Sequence, residues 1–377
     1  MNNLLAQAPD GTRNSRSVKA GLPAKAAVAV LLAASLPSSA PAEPAAAPSG
    51  EPPVRVAKWK GDAKGAISLY YDDGTETSFK NVLPELVRRG LPGTFYLCGG
   101  WFGSEDDPKL VRWGEAAKAH PGVVFLGDHT WTHGGVTNAA QFAEEIARNG
   151  ALLRRLAGLP EDEPLSFALP GAVRWDVTRE EQAKVLADHR EVLRHPFEPN
   201  IAGPKGGDNP TFSMRTAADA AKAFDRAEKE GKWESLIFHG VGGDWIAFDL
   251  AEHGAMLDDL EARAKAGRLW VGSAIDVHRY AATRDAAGLT VLRSDADGID
   301  FLLAGLDPAA EGALSPRFAA PLTIVCDVPA GWTTARVECP RGAAKGESFA
   351  VAAKDGRLVF DLPLGWSGVS VRPAPAR

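Results

Sequence analysis

Residues 66–74 read AISLYYDDG: a short apolar, aromatic-rich run that ends in two adjacent carboxylates and a glycine. The run has the length and composition of a β-strand. Two acids at the end of such a strand are costly to desolvate unless a positive charge is close. Similar runs recur at GTFYLC (93–98), VVFLGDH (123–129), LSFALP (165–170), EVLRHPF (191–197), SLIFHG (235–240) and LWVGSAIDVHRY (269–280). Helix-like stretches lie between most of them. Residues 78–90 offer Ser78 as N-cap and Gly90 as stop, and 139–158 and 216–231 also end on glycine. Residues 251–267 read as a further helix, and the Gly/Pro-rich 198–215 as a long loop. Strands alternating with helices predict a parallel sheet, economically closed into a distorted (β/α) barrel of about seven strands.

The pattern changes after about residue 285. Helical spacing gives way to short alternating runs at 289–294, 322–329, 334–340, 348–353, 357–363 and 368–373, separated by turn residues. This predicts a small antiparallel β-sandwich. The expected organisation is a signal peptide over 1–42, a linker over 43–53, a catalytic domain over 54–284 and a β-sandwich domain over 285–377.

The leader is read from a basic stretch (Arg13, Arg16, Lys19, Lys25), the apolar run 26–36, and Ala40 and Ala42 before a cleavage point. Export to the periplasm or the extracellular space follows as an expectation. A net charge of −6 disfavours a nucleic-acid partner, because a phosphate backbone calls for a basic surface. No segment offers the roughly 20 apolar residues of a membrane span. The sequence sets no oligomeric state. The three cysteines lack the spacing of a zinc site; Cys326 and Cys339 could pair in an oxidising compartment or stay as buried thiols.

Chemistry concentrates at three strand ends, the active face of an α/β barrel. The first carries Asp72 and Asp73. The third reads GDHTWTH (127–133), with His129 and His133 four apart, as two imidazoles on one face of a helical turn would be. The sixth reads IFHG, with His239 before a Gly-rich loop. Two histidines and one carboxylate have the composition of a catalytic metal site. The second carboxylate and third histidine would then serve as base and acid in metal-assisted hydrolysis.

The residues YYDDG (70–74), GDHTWTH (127–133) and LIFHG (236–240), in this order, resemble the polysaccharide deacetylase family, the NodB-homology domain. GLPGTFYL (90–97) resembles that family's second strand, and the resemblance covers about 64–283. It implies a carbohydrate substrate and a divalent metal, zinc in the usual case, held by Asp73, His129 and His133. Asp72 would be the general base toward the attacking water and His239 the general acid. A backbone N–H near Pro170-Gly171 would help to stabilise the oxyanion.

The chain also departs from the family pattern. In FALPGA (167–172), Ala168 stands where an arginine is usual and no aromatic follows Pro170; the Asp-x-x-Asp-Trp segment is not recognisable. Asp244 or Asp276 is the expected partner of His239, and Arg174 that of Asp72. Trp101, Trp131, Trp175 and Trp245 follow strand ends, where indoles could stack on sugar faces; Trp131 and Trp245 are taken as substrate-binding. His120, His189, His195, His253 and His278 are read as structural or surface residues. The leading expectation is N-deacetylation of an amino-sugar polymer or oligomer. The alternatives are an O-acetyl carbohydrate esterase and a non-catalytic glycan-binding module.

Overall fold

Among the described residues the first strand is β1 (Val54–Val56). The parallel strands follow: β2 (Gly65–Tyr71), β3 (Gly93–Leu97), β4 (Val124–Asp128), β5 (Leu165–Phe167), β6 (Glu191–Leu193), β7 (Asn200–Ile201), β8 (Trp233–Phe238) and β9 (Leu269–Val271). The structure is a computed structural model and describes residues 53–195, 199–206, 209–304, 318–341, 344–363 and 365–374. The expected leader, and the linker apart from Pro53, lie outside the described residues.

The hydrogen-bonded order is β6-β5-β4-β3-β2-β8-β7. This is a curled parallel half-barrel, whose ends β6 and β7 are not paired with each other among the described residues. β2 is its central strand. One edge pairs with β8 over Ala66–Tyr71, while the other is split between β9 at Gly65–Ile67 and β3 at Tyr70–Tyr71. The two-residue period sorts the side chains of β2. Ile67, Leu69 and Tyr71 join the apolar layer containing Trp113, Leu153, Phe224 and Met256. Tyr70 packs instead with Tyr96, Ala168, Ile237 and Ala274.

Among the described residues seven α-helices cover the sheet: α1 (Leu83–Arg89), α2 (Pro108–Ala119), α3 (Ala139–Ala157), α4 (Arg179–Asp188), α5 (Ala217–Glu230), α6 (Leu250–Lys265) and α7 (Ala274–Ala286). Local chemistry sets their ends. Asn138 caps α3, and a Thr216–Asp219 capping box opens α5. Gly90 ends α1 in the left-handed conformation. Ser78 is not an N-cap: it is buried in a π-helical turn (Ser78–Val82) before α1, and its hydroxyl donates to the His239 carbonyl. The expected strand over 269–280 is also corrected. Only Leu269–Val271 is strand; Ser273 then accepts the Asp276 N–H and starts α7, local bonding that overrides the β-branched composition. Helices α2 and α4, not expected from the sequence, are held by an Asp107 cap and a Thr178–Glu181 capping box.

The C-terminal strands are β10 (Gly288–Asp295), β11 (Gly298–Ala304), β12 (Leu322–Asp327), β13 (Thr334–Arg341), β14 (Ser348–Ala352), β15 (Arg357–Leu362) and β16 (Gly368–Pro373). They form two antiparallel sheets, β1-β12-β15 and β10-β11-β16-β13-β14, around Ile299, Phe301, Ile324, Val337, Leu358 and Val371. A boundary at residue 54 does not follow the sheets, since Val54–Val56 pairs with Ile324–Cys326. Tyr280 of α7 lies in the same apolar cluster, and Glu51–Arg377 forms one compact unit. Cys326 and Cys339 are buried and not joined by a disulfide. No helix among the described residues is long and apolar enough to cross a membrane.

His253 of α6 ties this core to pH. It is buried, its Nε2 lies 3.0 Å from the Tyr71 hydroxyl, and it packs edge-on against Phe238. Burial, with the charge of Arg89 behind it, pushes its pKa down to about 3. The unfolded value is about 6.5. The folded value is the lower one, so the unfolded chain takes a proton that the native state rejects. The stabilisation is complete above about pH 6.5 and is lost as pH falls toward 3. We expect the thermal midpoint to fall between pH 7 and pH 4. In His253→Gln the midpoint at pH 7 should be lower and its pH slope shallower; an unchanged slope would remove His253 as the source.

Candidate active site

The carboxyl-terminal ends of β2, β4 and β8 bring Asp72, Asp73, His129, His133 and His239 together. The Asp72 N–H still bonds the Phe238 carbonyl, at 2.8 Å, and so remains in the ladder. Asp73 has left it, with φ of 72°, and Gly74 follows at 58°. In an extended strand neighbouring side chains point to opposite faces. The left-handed turn begins on Asp73 itself and brings both carboxylates to one side. That conformation is tolerated by Asp better than by most side chains.

His129 and His133 meet by a route other than the expected helical turn. Residues 129–135 form no helix. Thr130 and His133 both adopt positive φ, 65° and 55°, and the Thr130 hydroxyl accepts the His133 N–H at 3.0 Å. Thr132 is anchored through its N–H to Glu145 of α3 at 2.8 Å. The two imidazole centroids lie 4.9 Å apart.

Asp73, His129 and His133 each offer a ligand atom, and these atoms lie within 4.8 Å of one another. Asp73 Oδ1 is 3.4 Å from His129 Nε2 and 3.5 Å from His133 Nε2, and it is buried without a hydrogen-bond partner among the described residues. His129 Nδ1 lies 2.8 Å from the Ala168 carbonyl. A carbonyl can only accept, so Nδ1 carries a hydrogen, and in the neutral imidazole Nε2 presents its lone pair toward Asp73. One carboxylate oxygen and imidazole nitrogens converging at that spacing fit a divalent cation. Ala168, read as a departure from the family pattern, supplies the bond that fixes this tautomer.

Asp72 is held from another strand. Burial alone would raise its pKa, but Arg194, with His129 and His239 beyond, holds it below the usual carboxylate range. Arg194 Nη1 is 2.6 Å from Asp72 Oδ1, and both residues are buried. The guanidinium also lies over the rings of Tyr70 and Tyr96, at 5.5 and 5.1 Å. Arg174 is exposed and pairs with Asp176, so it is not the partner of Asp72. Arg194 was missed because it follows β6, one strand beyond the expected place. The signal was legible: Arg194-His195-Pro196-Phe197 spells the arginine-x-proline-aromatic pattern.

His239 Nε2 stands 3.9 Å from Asp73 Oδ2. Neither expected partner reaches it. The Asp244 carboxylate accepts from the N–H and hydroxyl of Thr77, and that of Asp276 accepts from the Ser273 hydroxyl at the start of α7. His239 Nδ1 is buried and has no hydrogen-bond partner among the described residues. Beneath His129, Asp128 Oδ1 accepts from Thr130 and Asn149, and Glu191 is buried nearby. Burial raises both carboxyls, Asp128 to about 7 and Glu191 well above its usual value.

Around the site, Trp245 and Trp101 are about half exposed, with centroids 6.0 Å apart; Trp101 lies 5.0 Å from His133. Trp131 packs beneath the Arg148 guanidinium, 3.6 Å from its ring. Trp175 donates to the Pro170 carbonyl and packs on Phe142. Gly171 is exposed, with open space where a Cβ would lie.

A curled parallel sheet with an Asp-His-His cluster at its strand ends defines an α/β protein with a candidate metal centre. Residues 60–189 match the family model for polysaccharide deacetylase, which places this segment in the polysaccharide deacetylase family. No curated protein sequence matches the chain. Among solved structures, it is similar to a family 4 carbohydrate esterase from Streptomyces lividans in complex with acetate. The identity is 20%, the TM-score 0.37, and the match covers 56% of this chain and 93% of that one. The peptidoglycan deacetylase PdaC from Bacillus subtilis is 12% identical, with a TM-score of 0.38 over 59% of this chain and 94% of that one. A CE4 esterase from Streptococcus mutans is 16% identical, with a TM-score of 0.38 over 55% and 84%.

The buried pair gives a direct test. Arg194→Met leaves the Asp72 carboxylate buried and unpaired, and breaking such a pair costs about 3–5 kcal/mol. Urea unfolding should show a loss of that size, partly recovered in the Asp72→Asn, Arg194→Met double variant. Arg174→Ala should be neutral. Equal stability of Arg194→Met and the native protein would mean that the pair holds nothing.

Proposed function

We propose that this protein is a metal-dependent hydrolase that removes acetyl groups from a carbohydrate, with N-acetyl amino sugars as its leading substrates. The observation that carries this reading is Asp73 Oδ1, a buried carboxylate oxygen without a hydrogen-bond partner among the described residues, facing the Nε2 atoms of His129 and His133. These three residues would hold the ion, and zinc suits two imidazoles and a carboxylate. A divalent cation there supplies Lewis acidity, polarising an acetyl carbonyl and lowering the proton affinity of water.

The remaining work falls to the chain's own residues. Asp72, kept ionised by Arg194, takes the proton of the attacking water as general base. His239, whose Nε2 lies by the other oxygen of Asp73, gives a proton to the departing sugar nitrogen or oxygen. The Gly171 N–H can donate to the oxygen that becomes negative as the carbonyl is attacked. The half-exposed rings of Trp101 and Trp245 offer apolar faces on which a sugar can stack. The leader read at 1–42 supports an exported enzyme, as extracellular or periplasmic glycans require.

The second reading, O-deacetylation, has one observation in its favour. His239 Nδ1 has no hydrogen-bond partner among the described residues. An alkoxide leaves with less protonic help than an amine does, so an acid without a carboxylate behind it suits an ester.

Elemental analysis of the purified protein should find about one divalent ion per chain. The His129→Ala, His133→Ala double variant should hold little. Asp72→Asn should keep the ion and lose on the order of 10²–10⁴ in turnover, the usual cost of a missing general base. Acetate release from chitooligosaccharides, peptidoglycan and acetylated xylan, assayed side by side, separates the two leaving atoms. Equal metal content in the native protein and the double variant would sink the assignment. Metal loss in Asp72→Asn, with retention in Asp73→Asn, would swap the two carboxylates.

A further inference from the structure

Trp245 is about half exposed, yet its indole Nε1 lies 2.8 Å from Asp73 Oδ2. The two oxygens of Asp73 are therefore unequal. Oδ2 is occupied by the indole N–H, whereas Oδ1 has no hydrogen-bond partner among the described residues and faces both imidazoles. A carboxylate free to turn about its Cβ–Cγ bond could offer either oxygen, or both. The indole bond removes that freedom before an ion arrives.

The loop that carries Trp245 is built to hold it. Val241 and Phe248 form a β-bridge across its base, and the Gly240 N–H donates to the Trp245 carbonyl. A Cβ at Gly240 would lie 2.0 Å from the Gly243 carbonyl oxygen, so only glycine allows this closure. Thr77 fastens the tip: its N–H and hydroxyl both donate to the Asp244 carboxylate at 2.8 Å, and its hydroxyl accepts the Val241 N–H. The flanking backbone is strained. Asp244 and Ile246 have φ of 60° and 49°, and a β-branched residue rarely adopts the left-handed region. Strain and tethers together converge on the residue of this loop whose indole N–H bonds Asp73.

We propose that Trp245 is the positioning residue of the candidate metal centre: its indole N–H fixes the Asp73 carboxylate so that Oδ1 alone is offered to the ion. This rests on the metal-binding reading of Asp73, His129 and His133. Groups that orient metal ligands typically change metal affinity by about 10–100-fold when removed.

The test is zinc affinity of the full-length protein, stripped of metal and titrated against a chromophoric chelator, with the visible spectrum of the cobalt-loaded protein as a second readout. Trp245→Phe keeps an aromatic face and loses the N–H. Its zinc affinity should fall by about 10–100-fold, and its cobalt spectrum should shift. Trp332→Phe is the control, because the Trp332 N–H bonds the Ala296 carbonyl in the β-layer and not Asp73; its zinc affinity should match that of the native protein. Asp244→Ala, which frees the loop tip without touching the indole, should weaken zinc in the same direction as Trp245→Phe. Native affinity in Trp245→Phe would overturn the proposal, as would equal losses in Trp245→Phe and Trp332→Phe, since a general effect of losing an indole would then account for both. Zinc binding by the native protein no tighter than by the His129→Ala, His133→Ala variant would overturn the metal reading itself, a result distinct from either.

Discussion

Two carboxylates stand side by side at the end of a strand buried on both faces, and neither can stay ionised there without nearby positive charge or donated hydrogen bonds. Asp72 is stabilised by Arg194, at 2.6 Å. For Asp73, burial raises the pKa, while His129, His239 and the Trp245 N–H lower it below the usual range. The surrounding architecture follows from this electrostatic demand. An arginine is placed over the rings of Tyr70 and Tyr96, histidines arrive from two other strand ends, and the chain turns left-handed at Asp73 so that the two acids share one side.

The half-barrel makes this possible because its concave face is polar where it has to be and apolar elsewhere. Tyr70 donates its hydroxyl to the Arg194 carbonyl, and the Tyr96 hydroxyl lies 3.0 Å from that of Ser166. Ser68 bonds Gly272 at the entry to α7. Each buried polar atom placed in this way avoids a desolvation penalty of about 1–3 kcal/mol. Against that background Asp73 Oδ1 and His239 Nδ1, with Asp128 Oδ2 behind them, are buried atoms at strand ends that lack a hydrogen-bond partner among the described residues. Three backbone strains, at Asp73, Thr130 and His133, fall at the same place. Strain concentrated at a site implies that the surrounding packing over-determines it.

The C-terminal β-layer is joined to the barrel through shared parts. Val54–Val56 leads into β2 but pairs with β12. Tyr280 of α7 donates to the Ala57 carbonyl and lies in the apolar cluster of the β-layer. The Gly61 N–H bonds the Thr323 hydroxyl. These bonds brace the segment immediately before the strand that carries Asp72 and Asp73. The layer thus supports the position of β2 while lying far along the chain from the site residues.

Local sequence determined the elements whose signals are local. Apolar runs gave the strands that bear the site, glycines and capping residues gave the helix ends, and the order of YYDDG, GDHTWTH and LIFHG gave the family and the acid, base and ligand candidates. Where two local signals competed, the sequence misled. At 269–280 a β-rich composition concealed a Ser273–Asp276 cap, and at 78 a serine suited to capping was needed inside a π-turn. What only the tertiary structure decided were the relations between strands far apart in the chain. Arg194 is the partner of Asp72 although 122 residues separate them. Asp244 and Asp276 are spent on Thr77 and Ser273, and Ala168 contributes a carbonyl instead of a side chain. The reason is physical: a strand end is written in a few neighbouring residues, but which side chains meet across a curled sheet depends on strand order, curl and backbone turn. Those are set by the packing of the whole core.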